Sequence, residues 1–154
     1  MILNKNQYKN KKTIMKTSIN LDWIDGMAFE SVINGHKITI DAMEEVGGQN
    51  RGPRPKPFML LALAGCTSMD VISILKKMRV ELDDYSAEVI ANHTEDHPKH
   101  YDEMTVVYKF WGKDLPKDKL EKAVNLSEER YCGVSHVYKQ YVKMNYEIQI
   151  NPDT

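Results

Sequence analysis

Two cysteines, Cys66 and Cys132, carry the most reactive chemistry that this sequence offers. A thiol can serve as inert packing, as a metal ligand, or as a redox centre. In the third role a thiolate attacks a peroxide and becomes a sulfenic acid, and a second thiol within reach closes a disulfide. The two positions are 66 residues apart (132 minus 66), so only tertiary folding could join them. Cysteine is also among the residue types most often buried, and packing alone would account for both. Type and spacing leave the alternatives open.

The setting narrows them. Residues Met1 to Lys16 are rich in Lys and Asn and lack the apolar core of an export signal, so residues 1–15 are expected to form a flexible basic tail on a cytoplasmic protein. Disulfides seldom persist in a reducing compartment, which disfavours a permanent structural bridge. A reactive Cys66 would also need activation. It falls in about the third helical turn after Pro57, whereas the helix dipole acts mainly within the first, and apolar burial raises a thiol's pKa. A cation must therefore approach. Arg51 and Arg54 are the expected thiolate-stabilising residues, paired with Glu44 or Glu45, and a solvated charged loop is the competing reading. Arg130 is a poorer candidate, because positions two apart on a helix point apart. Asp70, one turn beyond Cys66, could bond a cap or a partner loop, or meet solvent. His136, one turn beyond Cys132, could be its base or a packed histidine.

Other chemistry is thinly supported. His93, His97 and His100 crowd one turn with Glu95 and Asp96, but their spacing fits no closed zinc site and no cysteine accompanies them, so a solvated turn and no metal are expected. There is no phosphate-cradling glycine loop, nucleophile elbow or dinucleotide fingerprint. The nine methionines read as core filling, or as the lining of an apolar pocket.

The elements that must position these residues are legible. The 154 residues suit one domain, taken as 16–154, with a 42% hydrophobic fraction sufficient for a core. Basic and acidic residues nearly cancel, 21 against 22, which disfavours a nucleic-acid partner. The strongly apolar run Phe58 to Cys66 falls short of the roughly 20 residues needed to cross a bilayer, so no membrane role is expected. Thr17 to Ile24 alternates as a strand, Asp25-Gly26 turns, Met27 to Ile33 follows, and Asn34-Gly35 leads into a third strand over Lys37 to Asp41. Pro53, Pro55 and Pro57 make a stiff loop. The long helix after it is apolar all round from Phe58 to Ala64, which predicts burial on every side, as a domain spine or in a subunit interface. Strands over Tyr85 to His93 and Met104 to Trp111 follow. A second helix opens at Pro116 with Leu120, Val124 and Tyr131 on one side, and Gly133 interrupts it. Val142 to Ile150 closes the chain as a strand. The order βββ-α-ββ-α-β, with strands in hairpins, defines an α+β fold with antiparallel sheets.

The segment Gly52-Pro53-Arg54-Pro55-Lys56-Pro57-Phe58-Met59-Leu60-Leu61-Ala62-Leu63-Ala64-Gly65-Cys66-Thr67-Ser68-Met69-Asp70-Val71, with Ser127-Glu128-Glu129-Arg130-Tyr131-Cys132-Gly133-Val134, resembles the motifs of one family. It is the osmotically inducible protein C and organic hydroperoxide resistance (OsmC/Ohr) family, in its OsmC-like branch, and the resemblance covers essentially all of the chain after the tail. It implies antiparallel sheets packed on a long central Cys-bearing helix, in an intertwined homodimer with its sites at the subunit interface. It implies a peroxiredoxin-like oxidoreductase in which Cys66 attacks an organic hydroperoxide, Cys132 closes the disulfide, and a dithiol reductant reopens it, without a cofactor. Two departures stand out. No arginine precedes Arg51, where the hydroperoxide-resistance branch keeps one in its N-terminal strands, and Pro55-Lys56-Pro57 replaces an acidic residue at the start of the cysteine helix. The missing arginine favours the alternative of a non-enzymatic homodimer that binds a small apolar ligand or senses redox state.

Overall fold

The computed structural model describes residues 15–153. The expected tail lies almost wholly outside them. Within the stretch taken above as one domain, residues group into two compact units, one through Arg54 and the other from Pro55.

The first unit is a three-stranded meander of β1 (Asp22–Asp25), β2 (Ala28–Ile33) and β3 (His36–Ile40), antiparallel throughout. Asn34 and Gly35 both adopt positive φ, as a two-residue hairpin turn requires. β1 is shorter than the alternation suggests. Upstream of it the Ser31 hydroxyl donates to the Asn20 carbonyl at 2.7 Å, so a side chain takes over where the ladder stops. After β3 the buried Asp41 carboxylate gathers the amides of Ala42 (2.8 Å), Gln49 (3.0 Å) and Arg51 (3.1 Å), folding the loop back on itself. Gly52 is held against β3 so closely that a Cβ there would lie 2.1 Å from the Thr39 carbonyl oxygen.

The second unit is built on α1 (Pro57–Lys77). Proline in its first turn costs no hydrogen bond, and Lys76 and Lys77 suit the negative end of the dipole. The helix stops in a Schellman arrangement: Val80 N–H donates to Leu75 O (3.0 Å) and Arg79 N–H to Lys76 O (3.1 Å). Arg79 takes the left-handed position, φ 55°, that glycine usually fills. β4 (Asp84–His93) pairs antiparallel with β5 (Tyr101–Trp111), and β6 (Lys143–Ile150) adds to the other edge of β5. That last pairing is parallel, a correction to the all-antiparallel expectation. The chain reaches β6 through α2 (Lys117–Leu126) and α3 (Gly133–Tyr138), and such a helical crossover returns it in the direction of β5.

The core joins Leu63, Val71 and Leu75 of α1 to Met104, Val106, Tyr108 and Phe110 of β5 and to Leu120, Ala123 and Val124 of α2. Burial of α1 on every side within the chain does not hold. Leu63, Thr67, Val71 and Leu75 form its buried stripe, while Leu61 is 64% and Met69 77% exposed. By length and composition this 21-residue helix could cross a membrane; one stripe of it lies in the core of the unit. Tyr131 likewise leaves the Leu120–Val124 side and is exposed. The cause is a π-helical turn over Ser127–Tyr131, whose wider winding delays the phase of every later side chain.

Candidate redox site

Cys66 and Asp70 sit one turn apart on α1, so helical geometry alone puts both on one face. Cys132 arrives differently. The π turn closes with Cys132 N–H donating to Ser127 O at 2.9 Å, and the chain then extends at Cys132 before α3 begins. That break delivers the sulfur to α1. Cys66 Sγ, Cys132 Sγ and an Asp70 carboxylate oxygen all lie within 4.8 Å of one another. Both cysteines are free thiols, Cys132 buried and Cys66 half-buried.

Neighbouring groups fix these three. Ser135 N–H donates to Cys132 Sγ at 3.3 Å. The Ser127 hydroxyl donates to Asp70 Oδ2 at 3.2 Å and lies 3.4 Å from the Thr67 carbonyl. Burial pushes the Cys132 thiol up to about 12; the Ser135 amide opposes that shift, and the adjacent Cys66 adds to it. Burial thus disfavours the thiolate of Cys132, which is the nucleophilic form of the sulfur. Asp70, which the sequence left between a cap and solvent, belongs to the cluster.

A residue that the sequence reading missed holds this arrangement together. Glu128, buried in the π turn, accepts from Tyr108 Oη on β5 (2.7 Å) and from Ser135 Oγ on α3 (2.6 Å). Its backbone carbonyl accepts from Lys139 Nζ at 2.6 Å. Burial, and then the negative charge of Glu128, raise the Tyr108 phenol well above its ordinary value, so it stays a donor. A glutamate beside a cysteine motif reads as surface charge; only the π turn aims it inward.

The expected cationic pairings are corrected. Arg51 pairs not with Glu44 or Glu45 but with Asp25, through Nη1 and Nη2, and with Asp41 (Nε to Oδ2, 3.4 Å). Asp25 is the last residue of β1 and Asp41 follows β3, and no local pattern reveals that both meet Arg51. Arg54 donates to Asn50 Oδ1 at 2.7 Å and lines a small cleft of about 140 Å³ with Glu44 and Glu45, which form a single 3₁₀ turn with Val46. Arg130 lies over the Tyr131 ring, 5.8 Å from its centroid. His136 is exposed. In the β4–β5 hairpin His93 packs on Tyr101 and His100 bonds the Pro98 carbonyl, and these histidines do not converge with one another. A cavity of about 330 Å³ beside the cluster is lined by Asp70, Ile74, Lys77, Leu126 and Tyr131 among others.

An α+β chain with a cysteine on its core helix and a second cysteine delivered to it defines a class of thiol protein, and comparison identifies the family. Residues 48–147 match the OsmC-like protein family, and the chain belongs to it. Protein YhfA of Escherichia coli K12 is 28% identical over 130 residues, 83% of this chain and 93% of its own. A hypothetical protein from Aquifex aeolicus has the same fold with a TM-score of 0.79 and 28% identity, over 92% of this chain and all of its own. The organic hydroperoxide resistance protein OsmC from Legionella pneumophila superposes with a TM-score of 0.64 at 16% identity, over 90% of this chain and 99% of its own, a likeness of fold. Membership supports a peroxiredoxin-like redox role in general terms.

Proposed function

We propose that this protein reduces organic hydroperoxides with Cys66 and Cys132 as its redox pair. The observation that carries the reading is the meeting of the two sulfurs within 4.8 Å from positions 66 residues apart. The Cys66 thiolate attacks the terminal peroxide oxygen, the O–O bond breaks, and the alcohol leaves with a proton. The Cys132 thiol then attacks the sulfenic sulfur, water departs, and a disulfide forms. An external dithiol takes up the disulfide and restores both thiols. The names of structural relatives such as the Legionella protein support the substrate class.

The working form in this proposal is a cytoplasmic homodimer. The exposed apolar side chains of α1, Leu61 and Met69 foremost, are the kind of surface that a second copy covers. Of the two arginines, Arg54 is the better thiolate-stabilising candidate, because Arg51 already bridges two carboxylates. A non-enzymatic sensor or apolar-ligand carrier is the second reading, favoured because the group facing both sulfurs is the carboxylate of Asp70.

Turnover separates the two. With a dithiol reductant, cumene hydroperoxide should be consumed catalytically and faster than hydrogen peroxide. Cys66→Ser should abolish consumption, and Arg54→Ala should slow it by about tenfold or more, the scale expected for loss of one stabilising charge. No turnover with any peroxide would leave the sensor reading.

A further inference from the structure

We infer that the reduced cluster of Cys66, Asp70 and Cys132 is also a binding site for a thiophilic divalent cation of the zinc type. The donors are the right kind: two sulfurs and one carboxylate oxygen form a mixed set that zinc accepts. They are also nearly in place. Bonds of about 2.3 Å to sulfur and 2.0–2.2 Å to oxygen in a tetrahedron put ligand atoms about 3.5–3.8 Å apart. The three atoms already lie within 4.8 Å of one another, so shifts of about 1 Å complete the geometry.

The backbone favours the same reading. Cys66 and Asp70 use the one-turn spacing by which a helix presents two ligands to one ion, and the third donor comes from a separate element. Each of the last two donors also has its own support. Ser127 Oγ donates to Asp70 Oδ2, and Ser135 N–H donates to Cys132 Sγ, the kind of outer bond that orients ligands before an ion arrives. Cys132 is buried while Cys66 and Asp70 are half-buried, so two of the three donor residues remain partly exposed. The site thus has the composition of an open three-ligand centre.

Binding would displace the two thiol protons to solvent and change no oxidation state. It requires only the dithiol form and does not rest on peroxidase activity. Ion binding and the disulfide exclude each other, since the same sulfurs serve both.

The test uses the reduced full-length chain with cobalt chloride as the spectroscopic probe and zinc chloride as competitor. One cobalt per chain should give thiolate-to-metal charge-transfer absorption with the intense visible bands of tetrahedral coordination, and zinc should bleach both. Asp70→Asn should weaken binding by about tenfold or more. Cys132→Ser should remove the charge-transfer pattern of two thiolates. Because substitutions could disturb folding, the disulfide form of the unaltered chain provides a second arm and should bind no cobalt. Absence of charge-transfer absorption in the reduced chain would overturn the inference. So would an unchanged spectrum and affinity in Asp70→Asn, or thiolate absorption in the oxidised chain. A chain that binds cobalt in this way yet ignores hydroperoxides would sink the redox proposal and leave the ion site standing.

Discussion

At the residue scale the first unit depends on Asp41. Burial opposes its ionisation, but amide donors from Arg51, Gln49 and Ala42, with the Arg51 side chain, outweigh that and hold its pKa below the ordinary 3.8. A carboxylate depressed in the folded state contributes stability that is present above its unfolded pKa and is lost as pH falls through the folded value. Asp25 shifts the same way, chiefly through its bond to Arg51. Acid titration below about pH 4 should therefore loosen the first unit, with Trp23 fluorescence in a Trp111→Phe background as the readout. Asp41→Asn should remove much of that pH dependence at a lower starting stability. A stability curve equally steep in the variant would show that other groups govern it.

At the element scale the decisive piece is the π turn. Its sequence, Ser127 to Tyr131, carries no pattern that separates it from ordinary helix, because the change lies in which carbonyl the Cys132 amide chooses. This is why periodicity sets Tyr131 on the wrong side and gives no sign of Glu128, although the break at Gly133 and both cysteines are legible. Periodicity also gave the strand order and the proline start of α1. It could not give the parallel partner of β6, which is settled by the crossover, nor which stripe of an all-apolar helix is covered. Arg51 shows the same limit: its charge was evident, but its partners lie 26 and 10 residues back along the chain. Glu128→Ala should leave the Tyr108 and Ser135 hydroxyls without their partner and destabilise the chain by about 2–4 kcal/mol in urea unfolding. It should also speed alkylation of Cys132 in a Cys66→Ser background, since α3 loses its tie to β5. A loss of stability without faster alkylation would make Glu128 a core residue with no part in positioning the thiol.

At the scale of the whole molecule, the architecture uses a core helix and a distorted crossover to bring two distant sulfurs together beside one carboxylate. Redox exchange and ion binding are the two outcomes proposed for that placement, and the oxidation state of the pair would decide between them. The most direct measurement adds one equivalent of cumene hydroperoxide to the reduced chain, blocks the remaining thiols, and maps the products by mass spectrometry. The expected product is a peptide pair linked through Cys66 and Cys132, with no alkylated Cys132 remaining. Stable sulfenic or sulfinic acid on Cys66 beside a fully alkylatable Cys132 would contradict it.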